Sequence, residues 1–176
     1  MPSVFTTVRT PCIIMIFLFG SIAYGQEGFH KLNVGVDLAL PVGDLSNISS
    51  IGFGVSGKAY YGLNQEMNIT GSLGYLNFPY KESDLSGGLS MIPVMFGFDY
   101  DFCVFYIEPK LGLGFTSMKI SYSFMGYSSS ETHSSTELGI GLGGGYRIDN
   151  LDFGLHFNIV DNLNYLGLRA AYNFDL

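Results

Sequence analysis

The chain has 176 residues, of which 47% are hydrophobic and 13% charged, with 24 glycines, no tryptophan and a formal net charge of −7. That length suits one domain, and the hydrophobicity rules out a disordered chain. The acidic balance and the lack of a basic stripe argue against a nucleic-acid binder, and so many glycines, each costing about 1 kcal/mol in a helix interior, argue against a helical bundle.

The N-terminal segment reads as an address. Arg9 is the only charge in the first 26 residues. Behind it, residues 12–22 form an apolar run, shorter than the about 20 residues a membrane helix needs. The run ends in Ala23-Tyr24-Gly25, a small-x-small cleavage pattern. A secretory signal peptide is therefore expected over residues 1–25, followed by one domain over 26–176. Cleavage would leave Cys103 as the sole cysteine, so no intrachain disulfide and no cysteine-type metal site is expected.

The remainder alternates with period two, the signature of strands. Leu32, Val34, Val36, Leu38 and Leu40 share one face, opposite Lys31, Asn33, Gly35 and Asp37. Phe53, Val55, Ala59 and Tyr61 follow, then Met67, Ile69, Leu73 and Tyr75. The fourth run sets Ile92, Val94, Phe96, Phe98 and Tyr100 on one face, with Met91 and Met95 on the other. Phe105, Ile107, Leu111, Leu113 and Phe115 make the fifth, and Leu138, Ile140, Leu142 and Tyr146 the sixth. Phe153, Leu155, Phe157 and Ile159 make the seventh; Leu166, Leu168, Ala170, Tyr172, Phe174 and Leu176 close the series. About eight strands of roughly ten residues match tilted membrane strands in length. The breaks at 41–50, 76–88 and 117–135 are long and polar; those at 62–66, 101–102 and 149–150 are short, with 160–164 a short exception. Long loops on one rim and tight turns on the other predict an all-β, eight-stranded antiparallel up-and-down barrel with both termini on the short-turn rim.

The face opposite the apolar one is rich in glycine and poor in long side chains, which suits the tight interior of a small barrel better than a water-facing surface. Its charges are expected to form a lumen network: Lys31, Asp37, Lys58, Glu108, Lys110, Glu137, Arg147, Asp152 and Arg169, with Asp175 as a further acid. His156 is expected on the same face as a hydrogen-bonded interior residue. Tyr61, Tyr100, Phe105, Tyr146, Phe153, Tyr172 and Phe174 lie on the apolar face beside the short turns or the C-terminus, as an aromatic girdle at one membrane interface would.

Three segments resemble the small outer-membrane β-barrel families of the OmpA-membrane-domain and OmpX type. They are Leu40-Pro41-Val42-Gly43-Asp44, Ile92-Pro93-Val94 running into Phe98-Asp99-Tyr100-Asp101-Phe102, and the closing stretch from Leu168 to Leu176. The resemblance extends from Phe29 to Leu176 as a pattern. It implies an integral protein of the Gram-negative outer membrane, in contact with its lipid. It also implies that the last strand is read by the outer-membrane assembly machinery, although that signal usually ends on an aromatic residue and here ends on Leu176.

No catalytic, cofactor or metal site is expected. His133 lies in Glu131-Thr132-His133-Ser134-Ser135, but adjacent residues in a serine-rich loop do not assemble a nucleophile, base and orienting acid. The glycines of 141–145 sit in a strand and do not cradle phosphate. Met118, Ile120, Tyr122 and Phe124 alternate with polar residues, which suggests that the fifth strand continues above the membrane as a contact surface for an extracellular partner. The expected role is noncatalytic, structural or in surface interaction, with a polar, side-chain-filled lumen. The alternatives are a narrow channel, a lipid-modifying enzyme and a soluble lipocalin-like carrier.

Overall fold

A computed structural model describes residues 28–81, 86–124, 127–161 and 163–176, without the side chains of 86–87, 119–124 and 127–132. The expected signal peptide lies outside the described residues. Eight strands follow one another: β1 (Phe29–Val42), β2 (Gly52–Gly62), β3 (Met67–Pro79), β4 (Ser86–Phe102), β5 (Phe105–Phe124), β6 (Tyr127–Ile148), β7 (Leu151–Val160) and β8 (Asn164–Asp175), with a short helix α1 (Leu45–Ile48) between β1 and β2. Each strand pairs with its sequence neighbours, and β1 pairs antiparallel with β8, from Lys31 opposite Asp175 to Val42 opposite Asn164. The sheet is thereby closed, and no strand is left with an open edge at membrane height.

Alternation decides what each face meets. Val34, Val36, Leu38, Leu73, Phe96, Leu111, Leu138, Leu155 and Leu168 are exposed on the outside, Val36 at 61% and Leu138 at 65%. In water this would be a continuous apolar belt far larger than any soluble monomer carries; in hydrocarbon it is the solvated face. Polar residues of the opposite parity, among them Asn33, Lys58, Thr70, Glu108 and Asp152, are buried within the barrel.

The short rim is built from tight turns. Cys103 and Val104 join β4 to β5, and Asp149 and Asn150 join β6 to β7. Cys103 and Asp149 both have positive φ, at 66° and 50°. In the β2–β3 turn the Asn64 side chain accepts hydrogen bonds from the backbone N–H groups of Glu66 and Met67, at 2.9 and 2.8 Å. β1 starts and β8 ends at this rim, where the Leu176 N–H donates to the His30 carbonyl at 3.0 Å.

The opposite rim differs from the sequence expectation in two places. The stretch 76–88 is not all loop: β3 runs to Pro79 and β4 starts at Ser86, with Phe78 opposite Leu89. In the stretch 117–135 the fifth strand continues to Phe124, as the alternation from Met118 suggests, and the described remainder is strand as well. β5 and β6 continue as one hairpin, pairing from Ser117 opposite Ser134 to Phe124 opposite Tyr127. His133 therefore lies in a strand, opposite Met118.

The misreading has a physical cause, because apolar parity reverses near this rim. In β3 the outward residues Ile69 and Leu73 give way to inward Leu76 and Phe78, and in β4 inward Leu89 and Met91 precede outward Ile92. With Ala39, Val160, Tyr165 and Leu45 of α1, these residues form a buried apolar cluster inside the barrel end, against which Met118 and Leu163 pack. Outward positions at this height turn polar: the Ser90 hydroxyl lies 3.2 Å from the Tyr75 hydroxyl and accepts from Asn77 Nδ2 at 3.1 Å. The reversal marks where hydrocarbon ends outside and where the interior becomes the drier side. Gly43 lets the chain turn back over this end, its φ of 65° being one that residues with a Cβ adopt rarely. Leu45 of the following turn is then 1% exposed in the apolar cluster.

Val36 stands midway along β1 on the lipid face. Val36→Arg should cost about 2–4 kcal/mol in urea unfolding from bilayers, whereas Gln65→Arg in a short turn should leave the midpoint unchanged.

Candidate functional site

Inside the barrel, the half nearer the short turns is a bonded polar lattice with Arg147 of β6 at its centre. Its guanidinium meets Asp99 of β4 through two bonds, Nη2 to Oδ2 at 2.7 Å and Nη1 to Oδ1 at 3.2 Å. Nη1 also donates to Asp101, and Nε donates to Asp152 at 3.3 Å. Nη2 further donates to the Tyr60 hydroxyl at 3.2 Å, while the Tyr106 ring lies 3.8 Å beneath the guanidinium carbon. Asp152, fully buried, accepts from the Tyr106 hydroxyl at 2.9 Å and from Asn33 at 3.4 Å. One cation thus joins β2, β4, β5 and β7 across the lumen. A planar, permanently charged fork is the side chain suited to several carboxylates at once.

Above this lattice, Lys58 and Glu108 form an ion pair at 2.7 Å, both nearly fully buried. Thr70 donates to the second oxygen of Glu108 at 2.6 Å, and Lys110 stands 3.9 Å from Glu108. On the facing wall Asp37 accepts a hydrogen bond from Ser56, and Arg169 Nε approaches Asp37 at 4.0 Å. Removing a buried charge from its partner costs several kcal/mol, so these groups hold one another in place. Gly154 makes room for the lattice: a Cβ there would lie 2.7 Å from the Tyr106 hydroxyl.

Of the residues expected in the lumen network, Asp37, Lys58, Glu108, Lys110, Arg147, Asp152 and Arg169 come together in these ion pairs and hydrogen bonds. Lys31 stands at the short-turn mouth, its ammonium 5.5 Å from the Tyr60 ring. Two further residues stand outside these ion pairs. Glu137 lies opposite Gly114, at the height of the apolar cluster, and makes no ion pair among the described residues. His156 lies inside the barrel as expected, edge-on to Tyr165 at 6.1 Å, with no ring hydrogen bond seen among the described residues.

Sequence reasoning missed Asp99 and Asp101, the principal partners of Arg147. The signal is present, since outward Phe98 and Tyr100 leave both acids facing inward; the short break expected at 101–102 hides Asp101. The expected interior was polar throughout, yet its outer half is the apolar cluster described above.

Tyr61, Phe105, Tyr146, Phe153, Tyr172 and Phe174 are exposed on the outside at the height of the short turns, and Tyr100 joins them half-buried. Phe105 packs against Tyr146 at 5.1 Å, and Tyr172 against Phe174 at 4.8 Å. The Tyr100 hydroxyl donates to Glu66 at 2.9 Å, so its polar tip faces the turn.

On the opposite rim, β6 meets β7 only from Gly139 opposite Val160 onward. In the sheet ladders of the described residues, 127–138 therefore pair with β5 and not with β7, over about 40 Å of strand at 3.4 Å per residue. Five serines, two threonines and two glutamates make up most of this stretch. The expected contact residue Met118 packs inward on the apolar cluster; the side chains of Ile120, Tyr122 and Phe124 lie outside the described residues. Among the described residues, no cluster of three His, Cys, Asp or Glu could hold a metal ion.

A model of the family described as outer membrane protein beta-barrel domain matches residues 12–175. No curated protein matches the sequence. Among solved structures the fold is similar to Ail, the attachment invasion locus protein of Yersinia pestis, at 21% identity and a TM-score of 0.63 over 85% of this chain and 100% of that one. It is also similar to the N-terminal β-barrel domain of Pseudomonas aeruginosa OprF, at 14% identity and a TM-score of 0.54 over 84% of this chain and 99% of that one.

Replacing Arg147 by Met would strand three carboxylates in the lumen. Arg147→Met should lower unfolding stability in detergent by about 3–5 kcal/mol, with Arg147→Lys losing less, as read from urea midpoints.

Proposed function

The chain belongs to the outer membrane protein beta-barrel domain family and is an integral protein of the outer membrane; from that premise we propose that it is noncatalytic, with a closed barrel as anchor and the β5–β6 hairpin as a contact surface for an extracellular protein. The observation that carries this reading is the asymmetry of the strands. β5 and β6 have 20 and 22 residues, while β7 has 10, a length that already crosses the membrane. The extra length is not used for spanning. Its edge at 127–138 presents backbone donors and acceptors to which an extended segment of a partner can pair.

The lumen supports the anchoring role. Arg147 and its partners close the inner half, and the apolar cluster closes the outer half. In this reading the aromatic residues beside the short turns sit at the periplasmic interface of the membrane. β8, with Phe174 and Leu176 outward, is the strand read by the assembly machinery, and residues 1–25 are removed on export with Gln26 becoming the N-terminus. Ail has also been solved with the heparin analogue sucrose octasulfate. A polyanion is not the partner favoured here, because the only cations in the two long connections on this rim are Lys81 and Lys119.

Joining Met118 to His133 through an Asn-Gly turn would remove residues 119–132 while keeping the observed cross-strand pair. The shortened protein should still insert in the outer membrane and shift on gels between unheated and boiled samples, but cells carrying it should lose surface adhesion; unchanged adhesion would refute the hairpin's role. In planar bilayers the wild type should give no steady single-channel steps. N-terminal sequencing of the exported protein should begin at Gln26.

A further inference from the structure

Between the polar lattice and the apolar cluster lies an internal cavity of about 50 Å³. We propose that this cavity is a binding site for one small monovalent anion of chloride size, held by Lys110 and Arg169. The proposal rests on the barrel interior alone and stands whether or not the hairpin has a partner.

The charges around the cavity do not balance. Three cations line it, Lys58, Lys110 and Arg169, against two carboxylates, Asp37 and Glu108. Both carboxylates have closer partners. Glu108 takes the Lys58 ammonium at 2.7 Å and the Thr70 hydroxyl at 2.6 Å, and Asp37 takes the Ser56 hydroxyl. Lys110 is left 3.9 Å from Glu108, beyond hydrogen-bond range, with its side chain 11% exposed. Arg169 Nε is buried without an acceptor, 4.0 Å from Asp37, with its side chain 7% exposed. The other contact of that guanidinium is long, Nη2 to the Ser56 carbonyl at 3.4 Å.

A barrel interior offers little solvation, and a buried ionised donor without an acceptor is costly there. Water can accept from these N–H groups but does not offset the local charge of Lys110 and Arg169. A monovalent anion accepts the same bonds and cancels it. Size permits a halide: a cavity of about 50 Å³ has room for one such ion with water beside it.

Bromide is the probe. The protein is refolded from urea in sodium bromide, so that the ion is present when the barrel closes, and crystallised from that buffer. Anomalous diffraction at the bromine edge should show a peak within hydrogen-bond reach of Lys110 Nζ and Arg169. Lys110→Met, checked for folding by its gel shift, should lose that peak. In detergent, chloride should raise the unfolding temperature of the wild type over gluconate at equal ionic strength by about 3 °C or more, and of Lys110→Met by nothing. An empty cavity in the wild-type bromide crystal, peaks only at the surface (an adventitious ion only), or equal stability in chloride and gluconate would each overturn the site. The wild-type map decides the matter even if the variant fails to fold.

Discussion

The seam between β1 and β8 is the constraint from which the rest follows. Hydrocarbon offers no partner to a backbone N–H or C=O, so a sheet can cross it only by pairing its last strand with its first. The seam runs from Lys31 opposite Asp175 to Val42 opposite Asn164, nearly the whole length of β1. Closing eight strands leaves an interior only wide enough for side chains. That narrowness is why the inner wall is rich in glycine, and why long inward side chains such as Arg147 and Lys58 meet partners across the lumen.

Within that space the chain uses two kinds of matter. At the short-turn end Arg147 draws carboxylates from β4 and β7 and a hydroxyl from β2 onto one guanidinium, tying together strands far apart in sequence. At the other end Phe78, Leu89, Met91, Val160 and Tyr165 pack as a soluble core would. The apolar residues face outward where the surroundings are lipid and inward where they are water. The same rule of burial therefore gives opposite parity at two heights of one strand, as in β3 between Leu73 and Phe78.

That inversion explains what could be read from the sequence. Runs such as Leu32 to Leu40 and Leu166 to Leu176 keep one parity over a membrane thickness, so the strands, their faces and the class of barrel were legible. Leu76 and Phe78 break step with Leu73, and a reading that holds one parity per strand takes such a break for a loop; after Met118 breaks step with Phe115, the renewed alternation to Phe124 still marks a strand. The serine-rich arm of β6 gave no hydrophobic signal at all, because its strand is fixed by cross-strand bonds to β5 and not by burial. The pairing partners of Arg147 were legible in parity but not in identity. Which acids reach a given cation depends on register and stagger around the barrel, and these are set by turn lengths more than by the charged residues themselves.

On the reading proposed above, the two ends of the lumen differ in chemistry, yet both are shut. A chamber with an oily stopper at one end and a charged mesh at the other has no soft side. Whatever fills it is enclosed at the moment the last seam zips, and afterwards turns over only as fast as the stopper or the mesh opens. The contents of the barrel would then record the solution in which the chain was assembled rather than the one in which it later stands.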